Sequence, residues 1–397
     1  MRTGPGASEV DLVIIGSGII GATLAWNLRD SGMDVSLIDR AEPGAATTTC
    51  SYAWMNASSK VRLNYPLEYA EFSVRGALDP YRLANDIPSG WLHPTGNLEL
   101  VAAHNADRLA VDVGRLLDLG YPVVQLDHAQ LIQRHPQLAV AAGTVGAWYP
   151  TEGWIDGQAL VADIVGRLCG GTFDSIRDEA VDFVIDRESG EITTVRLGSG
   201  RDIATRQVVL AAGAWTADLA AVAGVDVPMR ARTDAKVPGL VIKLTAPESG
   251  LEHPIMGDGF LVRPHRGGEA VLCGDAHGTL LSIGMPQVEV TRAARRLLDA
   301  AARALPVLEE CRIISARIGV RALTGDGKPI VGWCPGVPNL YVVATHSGIS
   351  LAPTIGRLVA QEIRTRSREA ELEPFRLARF SSCPDDTAGG NHDQRIG

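Results

Sequence analysis

The first dense apolar run, Val10, Leu12, Val13, Ile14 and Ile15, is too short for a helix and rich in β-branched residues, so it predicts a buried strand. Gly16, Gly18 and Gly21 follow in G-x-G-x-x-G spacing. Ala22, Leu24, Ala25 and Leu28 then supply the buried face of a helix, which Gly32 is expected to stop. A second apolar run over residues 35–38 ends in Asp39. Strand, glycine turn, helix and strand make one βαβ unit.

Beyond it the pattern alternates. Residues 67–83 carry Tyr69, Phe72, Leu78 and Tyr81 at three- and four-residue steps and predict one helix. Residues 91–102 predict a pair of strands, and 107–119, 128–135 and 158–168 predict helices around a strand and turn at 146–156. Runs at 180–185, 192–197 and 201–204 predict a three-stranded meander turning at Ser189-Gly190. Residues 207–219 read as a buried strand entering a helix through Gly213. From 227 onward strands dominate, at 239–245, 259–264, 269–274 and 311–322, with an amphipathic helix at 291–305. Residues 326–333 and 339–344 predict a hairpin, and HSGISLAP leads into a last helix over 354–364.

The predicted fold class is α/β (α+β overall): a discontinuous Rossmann-like domain beside a domain with a large antiparallel sheet. We expect the nucleotide-binding part over residues 1–85, 146–225 and 325–368, a substrate-binding part over 86–145 and 226–324, and a disordered tail over 381–397.

The glycine spacing carries chemistry. Gly16 permits a tight turn, Gly18 lets the backbone approach a pyrophosphate, and Gly21 lets helix and strand pack closely. The helix N-terminus offers N–H groups and the positive end of a dipole to phosphate. Asp39 is placed to accept from a ribose hydroxyl, which favours FAD or NAD over NADP, although Arg40 follows it directly. Residues 42–60, EPGAATTTCSYAWMNASSK, are dense in small hydroxyl residues and read as a loop lying along the dinucleotide.

The 397 residues suffice for two or three domains. A net charge of −9 argues against a nucleic-acid partner and against a basic membrane-binding patch. No apolar run reaches transmembrane length, and residues 1–9 have no apolar core of a secretory signal. The six cysteines form no C-x-x-C pair, so we expect reduced thiols in a cytoplasmic protein and no metal site.

Several stretches, taken in order, carry a resemblance: the G-x-G-x-x-G unit, TTTCSYAWMNAS, VVLAAGAW, GVRALTGDGKPIVG and THSGISLAPTIGRLVAQEI. Together they resemble the FAD-dependent oxidoreductases of the D-amino-acid oxidase, glycine oxidase and monomeric sarcosine oxidase family, from about residue 11 to residue 363. The resemblance implies FAD held by Ile15, Gly16, Gly18, Ile19, Ile20, Gly21, Asp39 and Arg40. It implies Thr47, Thr48 and Ser51 at the pyrophosphate and flavin edge, and the Val181 backbone at adenine. Ala212, Gly213 and Trp215 would pack under the cofactor. His346, Ser347, Gly348 and Ile349 would face the flavin pyrimidine, where a helix N-terminus stabilises negative charge.

Arg321, in GVRA, resembles the arginine that clamps the substrate carboxylate, a role suited to a planar, always-charged guanidinium. Arg263 is the second candidate. Tyr52, Trp54, His265 and His346 are candidate pocket residues. The sarcosine oxidase branch attaches its flavin through a cysteine close to the position of Gly319, so noncovalent FAD is expected here. The lysine that activates oxygen in that branch falls near Val271, where no lysine stands. The usual proline after the arginine is Ala322.

The implied reaction is oxidation of the C–N bond of an amino acid or secondary amine by hydride transfer to flavin N5, giving an imine. Dioxygen or another electron acceptor takes the electrons. Two alternatives are an NAD-dependent dehydrogenase and a flavin-binding subunit of a larger electron-transferring complex. Substrate identity and oligomeric state stay open.

Overall fold

In the computed structural model, which describes residues 9–245, 250–274 and 278–380, the first apolar run forms the strand Leu12–Ile15. It pairs in parallel with Val35–Asp39, which pairs in turn with Phe173–Arg177. On its other side lie Val208–Leu210 and then Val337–Ala344, also parallel, and Ile330–Cys334 closes that edge antiparallel. All four residues of the first strand are buried, as expected of a parallel strand covered on both faces. Strand order reverses here, and the crevice past such a reversal is where open α/β sheets bind ligands.

The helix Ile19–Leu28 is buried on nearly every side rather than along one stripe. The Gly348–Thr365 helix crosses it closely: Thr23 Oγ1 donates to the Ala352 carbonyl at 3.1 Å, and a Cβ on Gly356 would stand 2.8 Å from that same hydroxyl. The first helix ends at Leu28, before Gly32, which with φ of +76° serves the turn into the next strand instead.

The second sheet has eight strands in the order Ile313–Val320, Pro238–Thr245, Glu269–Gly274, Phe260–His265, Ile255–Gly257, Asn97–Val101, Val145–Tyr149 and Val124–Leu126. All pairings are antiparallel except that of Ile255–Gly257 with Asn97–Val101. Side chains alternate across it. Leu240, Ile242, Leu244, Val262 and Leu272 form a core with Val290, Ala294, Leu297 and Ala301 of the Gln287–Ala304 helix. The opposite face is left for the site. The meander Ala180–Ile185, Ile192–Leu197 and Asp202–Ala204 forms as expected.

Several expectations are corrected. Residues 67–83 are not one helix but Leu67–Arg75 and Asp79–Asp86, joined by a 3-10 turn at Gly76–Leu78. The last helix presses on that joint, since a Cβ on Gly76 would stand 2.4 Å from Thr354 Oγ1. Residues 91–102 do not pair with one another. Leu92–His93 joins a small sheet with Gly153–Ile155 and Trp54–Met55, whereas Asn97–Val101 joins the large one. Gly96, with φ of +79°, redirects the chain between them, and a Cβ there would strike the Trp148 ring at 2.2 Å.

The last helix starts at Gly348, not at 354, and holds Pro353 within it. Proline forfeits one backbone bond there, and burial of the helix outweighs that loss. The helix expected at 291–305 begins at Gln287. Residues 42–60 are not all loop, because Trp54–Met55 is a strand and Ser58–Arg62 a short helix. Val145–Tyr149 pairs in the large sheet, so a division at residue 145 cuts through a strand. The tail at 381–397 lies outside the described residues.

Candidate active site

A cavity of ≈ 650 Å³ opens past the C-terminal ends of the parallel strands and under the free face of the large sheet. Ile15, Gly16, Gly18, Ile19 and Ile20 line one end. Gly16 has φ of +111°, and a Cβ on it would stand 2.3 Å from the Ala211 carbonyl oxygen. Gly21 does not reach the cavity. A Cβ there would meet the Gly16 carbonyl oxygen at 1.9 Å, so this glycine serves helix–strand packing.

Asp39 reaches the wall with its carboxylate braced on the glycine turn. Ser17 donates to it from N at 2.8 Å and from Oγ at 3.1 Å, and Ala41 N donates at 3.0 Å. Beside it the Arg40 guanidinium lies 4.8 Å from the Trp215 ring centre and pairs with Glu179 at 3.3 Å. Ala212 and Gly213 line the same end. Val181 does not: it is 46% exposed and faces outward, while Asp178, Glu179 and Ala180 line the cavity. Strand alternation turns Val181 away and leaves its neighbour Ala180 inward.

The 46–56 segment stitches both sheets to this end. Thr48 Oγ1 accepts from Ile19 N at 3.0 Å, and Thr47 Oγ1 donates to the Val320 carbonyl at 2.9 Å. Ser51 Oγ accepts from Ala53 N at 2.9 Å. Tyr52 donates its hydroxyl to the Val262 carbonyl at 3.0 Å, and Ser350 Oγ donates to the Trp54 carbonyl at 2.8 Å. Ala53 between them holds φ of +60°, an uncommon conformation for a residue with a side chain, next to the cavity.

From the large sheet, Val241, Leu261 and Cys273 face the cavity as cross-strand neighbours. Gly239 and Gly319 stand opposite one another at its edge. A Cβ on Gly319 would meet the Cys50 carbonyl oxygen at 2.6 Å, and one on Gly239 would meet Arg321 Nε at 2.9 Å. The missing side chains therefore admit the Cys50 segment and the Arg321 guanidinium. Arg321 lines the cavity and donates to the Lys236 carbonyl at 3.3 Å. It has no carboxylate partner among the described residues.

His346 lies deep in the protein yet keeps much of its surface open to the cavity. Burial, with Arg321 and Lys60 nearby, drives its imidazole down to about 3, so the ring is neutral at ordinary pH. Ser347, Gly348 and Ile349 continue the wall, and Tyr69 donates its hydroxyl to Ser347 Oγ at 3.0 Å.

Two expected pocket residues fall outside the cavity lining. Arg263 is buried and committed elsewhere: it donates to the Tyr52 and Pro264 carbonyls and lies 4.4 Å from the Trp154 ring centre. His265 sits 3.3 Å from Arg263 NH1, and burial with that cation pushes it down to about 4. Their strand continues past the end of the cavity.

Sequence reasoning missed Lys60, Arg62, Tyr65, Cys50 and Cys273 on the wall and Glu152 behind it. Lys60 is 5% exposed, and burial lowers its ammonium to about 8. Glu152 is fully buried and accepts from Trp54 Nε1 at 3.1 Å, Ser58 N at 3.2 Å and the Tyr121 hydroxyl at 2.9 Å. Burial raises its carboxyl to about 7. A lysine among small residues in NASSK was the one available signal. Glu152, in a polar turn, gave none.

The sequence pattern of the FAD dependent oxidoreductase family matches residues 11–362. The chain belongs to that family. Among its relatives, glycine oxidase of Geobacillus kaustophilus (strain HTA426) is 25% identical, over 93% of this chain and 97% of that protein. An opine oxidase subunit of Agrobacterium tumefaciens (strain Ach5) is 26% identical, over 94% and 98%. The crystal structure of glycine oxidase from Geobacillus kaustophilus shares the fold, with a TM-score of 0.78 at 24% identity over 94% of this chain and 99% of that one.

The residues present fit the cofactor that the family's name carries. Gly16 and Gly18 line the cavity at the head of the Ile19–Leu28 helix, where Gly18 supplies no side-chain cap and Thr48 Oγ1 takes the Ile19 N–H, and Asp39 and Ser347–Ile349 line the same cavity. Among the described residues no helix is long and apolar enough to cross a membrane, and no cluster of three His, Cys, Asp or Glu side chains could hold a metal.

Proposed function

We propose that this FAD-dependent oxidoreductase oxidises the C–N bond of a carboxylate-bearing amine or amino acid. The observation that carries the reading is Arg321: a guanidinium on the cavity wall, with one carbonyl acceptor and no carboxylate of the protein's own among the described residues. A half-buried cation left in this state is a receptor for an anion. The names of the relatives, oxidases of glycine and of opines, agree with it.

FAD, when bound, supplies a two-electron acceptor at its N5. The chain supplies the rest. Gly16, Gly18 and the helix N-terminus at Ile19 hold the pyrophosphate, Asp39 the ribose, and Thr47, Thr48 and Ser51 the neighbouring edge. The N-terminus of the Gly348–Thr365 helix opens on the cavity and stabilises negative charge at the pyrimidine edge. Arg321 orients the substrate carboxylate. Tyr52, Trp54, Val241 and Leu261 exclude water from the amine, which favours its free base. Neutral His346 offers a hydrogen bond without adding a third positive charge.

Binding is noncovalent in this reading. Gly319 has no sulfur, and burial raises the thiol of neighbouring Cys50, which keeps it protonated and unreactive. The chain divides into a cofactor part built on the six-stranded sheet and a substrate part built on the eight-stranded one, with the first boundary moved beyond Tyr149.

The test is anaerobic. The purified protein should be yellow, release intact FAD on acid denaturation, and bleach with members of a panel of amino acids and N-alkyl amino acids. A holoprotein that no member of the panel bleaches ends the reading and favours the role of an electron-transferring component of a larger complex.

A further inference from the structure

The cavity wall carries five cations, and three of them have carboxylate partners. Arg40 pairs with Glu179 at 3.3 Å, Arg62 approaches Glu99 at 3.7 Å, and Arg232 pairs with Asp218. Arg321 and Lys60 have none among the described residues. Lys60 Nζ donates to Ser59 Oγ at 2.9 Å and lies 5.5 Å from the Tyr69 ring centre. The nearby acid, Glu152, is taken up by Trp54, Ser58 and Tyr121. Holding an ammonium out of water with one neutral acceptor and one ring face is costly, and the Glu152 carboxyl nearby offsets that cost only in part.

The two unmatched cations also share a region. Both lie close enough to His346 to act on its ring, and His346 is itself open to the cavity. One carboxylate answers one of them. We propose that the substrate is a dicarboxylate amine, with one carboxylate on Arg321 and the second on Lys60. This deepens the reading of the site as an amine-oxidising cavity and rests on it. The short helix Ser58–Arg62 sets the second anchor, and a compact ammonium suits a carboxylate whose direction is less restricted than that held by the guanidinium fork.

The test uses FAD-loaded protein and two unreactive thioethers, thiodiacetate with two carboxylates and methylthioacetate with one, titrated by calorimetry. Wild type should bind thiodiacetate on the order of tenfold to a hundredfold more tightly, the strength of one charge-assisted contact. Lys60→Met should bring thiodiacetate down to the affinity of methylthioacetate and leave methylthioacetate within about twofold of wild type. Equal affinities in wild type, binding of neither probe, or equal losses for both probes in Lys60→Met would overturn the proposal. The wild-type comparison needs no variant, so a Lys60→Met protein that fails to fold does not rescue it.

Anaerobic reduction by iminodiacetate and by N-methylglycine separates the two readings. Tight thiodiacetate binding with reduction by neither amine supports the two-cation site and sinks the oxidation. Reduction by N-methylglycine with no preference for the dicarboxylate does the reverse.

Discussion

Gly239 and Arg321 are in contact such that a methyl group at residue 239 would lie 2.9 Å from the arginine Nε and 3.2 Å from NH2. The backbone of one strand thereby sets the position of the guanidinium that ends its neighbour. The clash would fall on the far end of a flexible side chain, so Gly239→Ala should leave thermal stability close to wild type and turn Arg321 out of place. The half-saturating concentration for a carboxylate-bearing amine should rise about tenfold, with FAD occupancy unchanged. Unaltered kinetics in that variant would show that Arg321 does not need this seat.

Arg321→Ala should keep FAD and lose on the order of 2–5 kcal/mol of substrate interaction, part of it from leaving a carboxylate unpaired in an apolar pocket. Arg321→Lys should recover only part, since a point charge does not reproduce the fork. The measurement is anaerobic reduction by an active amino acid and by its decarboxylated analogue. Equal losses for both would remove Arg321 from carboxylate recognition.

Asp39→Ala should weaken FAD retention about tenfold to a hundredfold, because it removes the proposed ribose acceptor, two braces of the glycine turn from Ser17 N and Ser17 Oγ, and the local bond from Ala41 N. Titration of apoprotein with FAD reads this directly. Unchanged affinity would count against the ribose contact.

Glu152 makes stability depend on pH in a known direction. Burial raises its carboxyl to about 7, above the ordinary carboxylate value the unfolded chain would show. Between those two values the folded state holds a proton that the unfolded state has lost, so stability falls as pH rises. The decline should be on the order of 3 kcal/mol from about pH 4.5 to about pH 7. Glu152→Gln cannot ionise and should flatten it, as seen in denaturant midpoints measured across that range. Parallel curves for variant and wild type would place the pH dependence elsewhere.

Short-range patterns are legible in the sequence itself. The strand, glycine turn and helix at 10–28 form as read because each is dictated by neighbours in sequence: a β-branched run, three glycines in fixed spacing, a turn-length gap. The meander at 180–204 and the hairpin at 330–344 follow for the same reason. Asp39, Thr48, Arg321 and His346 could be picked out because their motifs are local.

Tertiary structure alone decided which side chains share the cavity. Arg263 and Arg321 look alike in sequence, yet one is taken up by the Tyr52 and Pro264 carbonyls and the Trp154 ring while the other faces open space. The break at Gly76 comes with the last helix pressing on it through Thr354, a contact between residues nearly three hundred positions apart. Lys60 and Glu152 sit in stretches with no chemical pattern, and burial gives them their character by stripping water from groups that would be ordinary at the surface. Local propensity acts through neighbours in the chain, whereas desolvation and charge pairing act through neighbours in space, so only the folded chain brings Arg321, Lys60 and His346 to one wall.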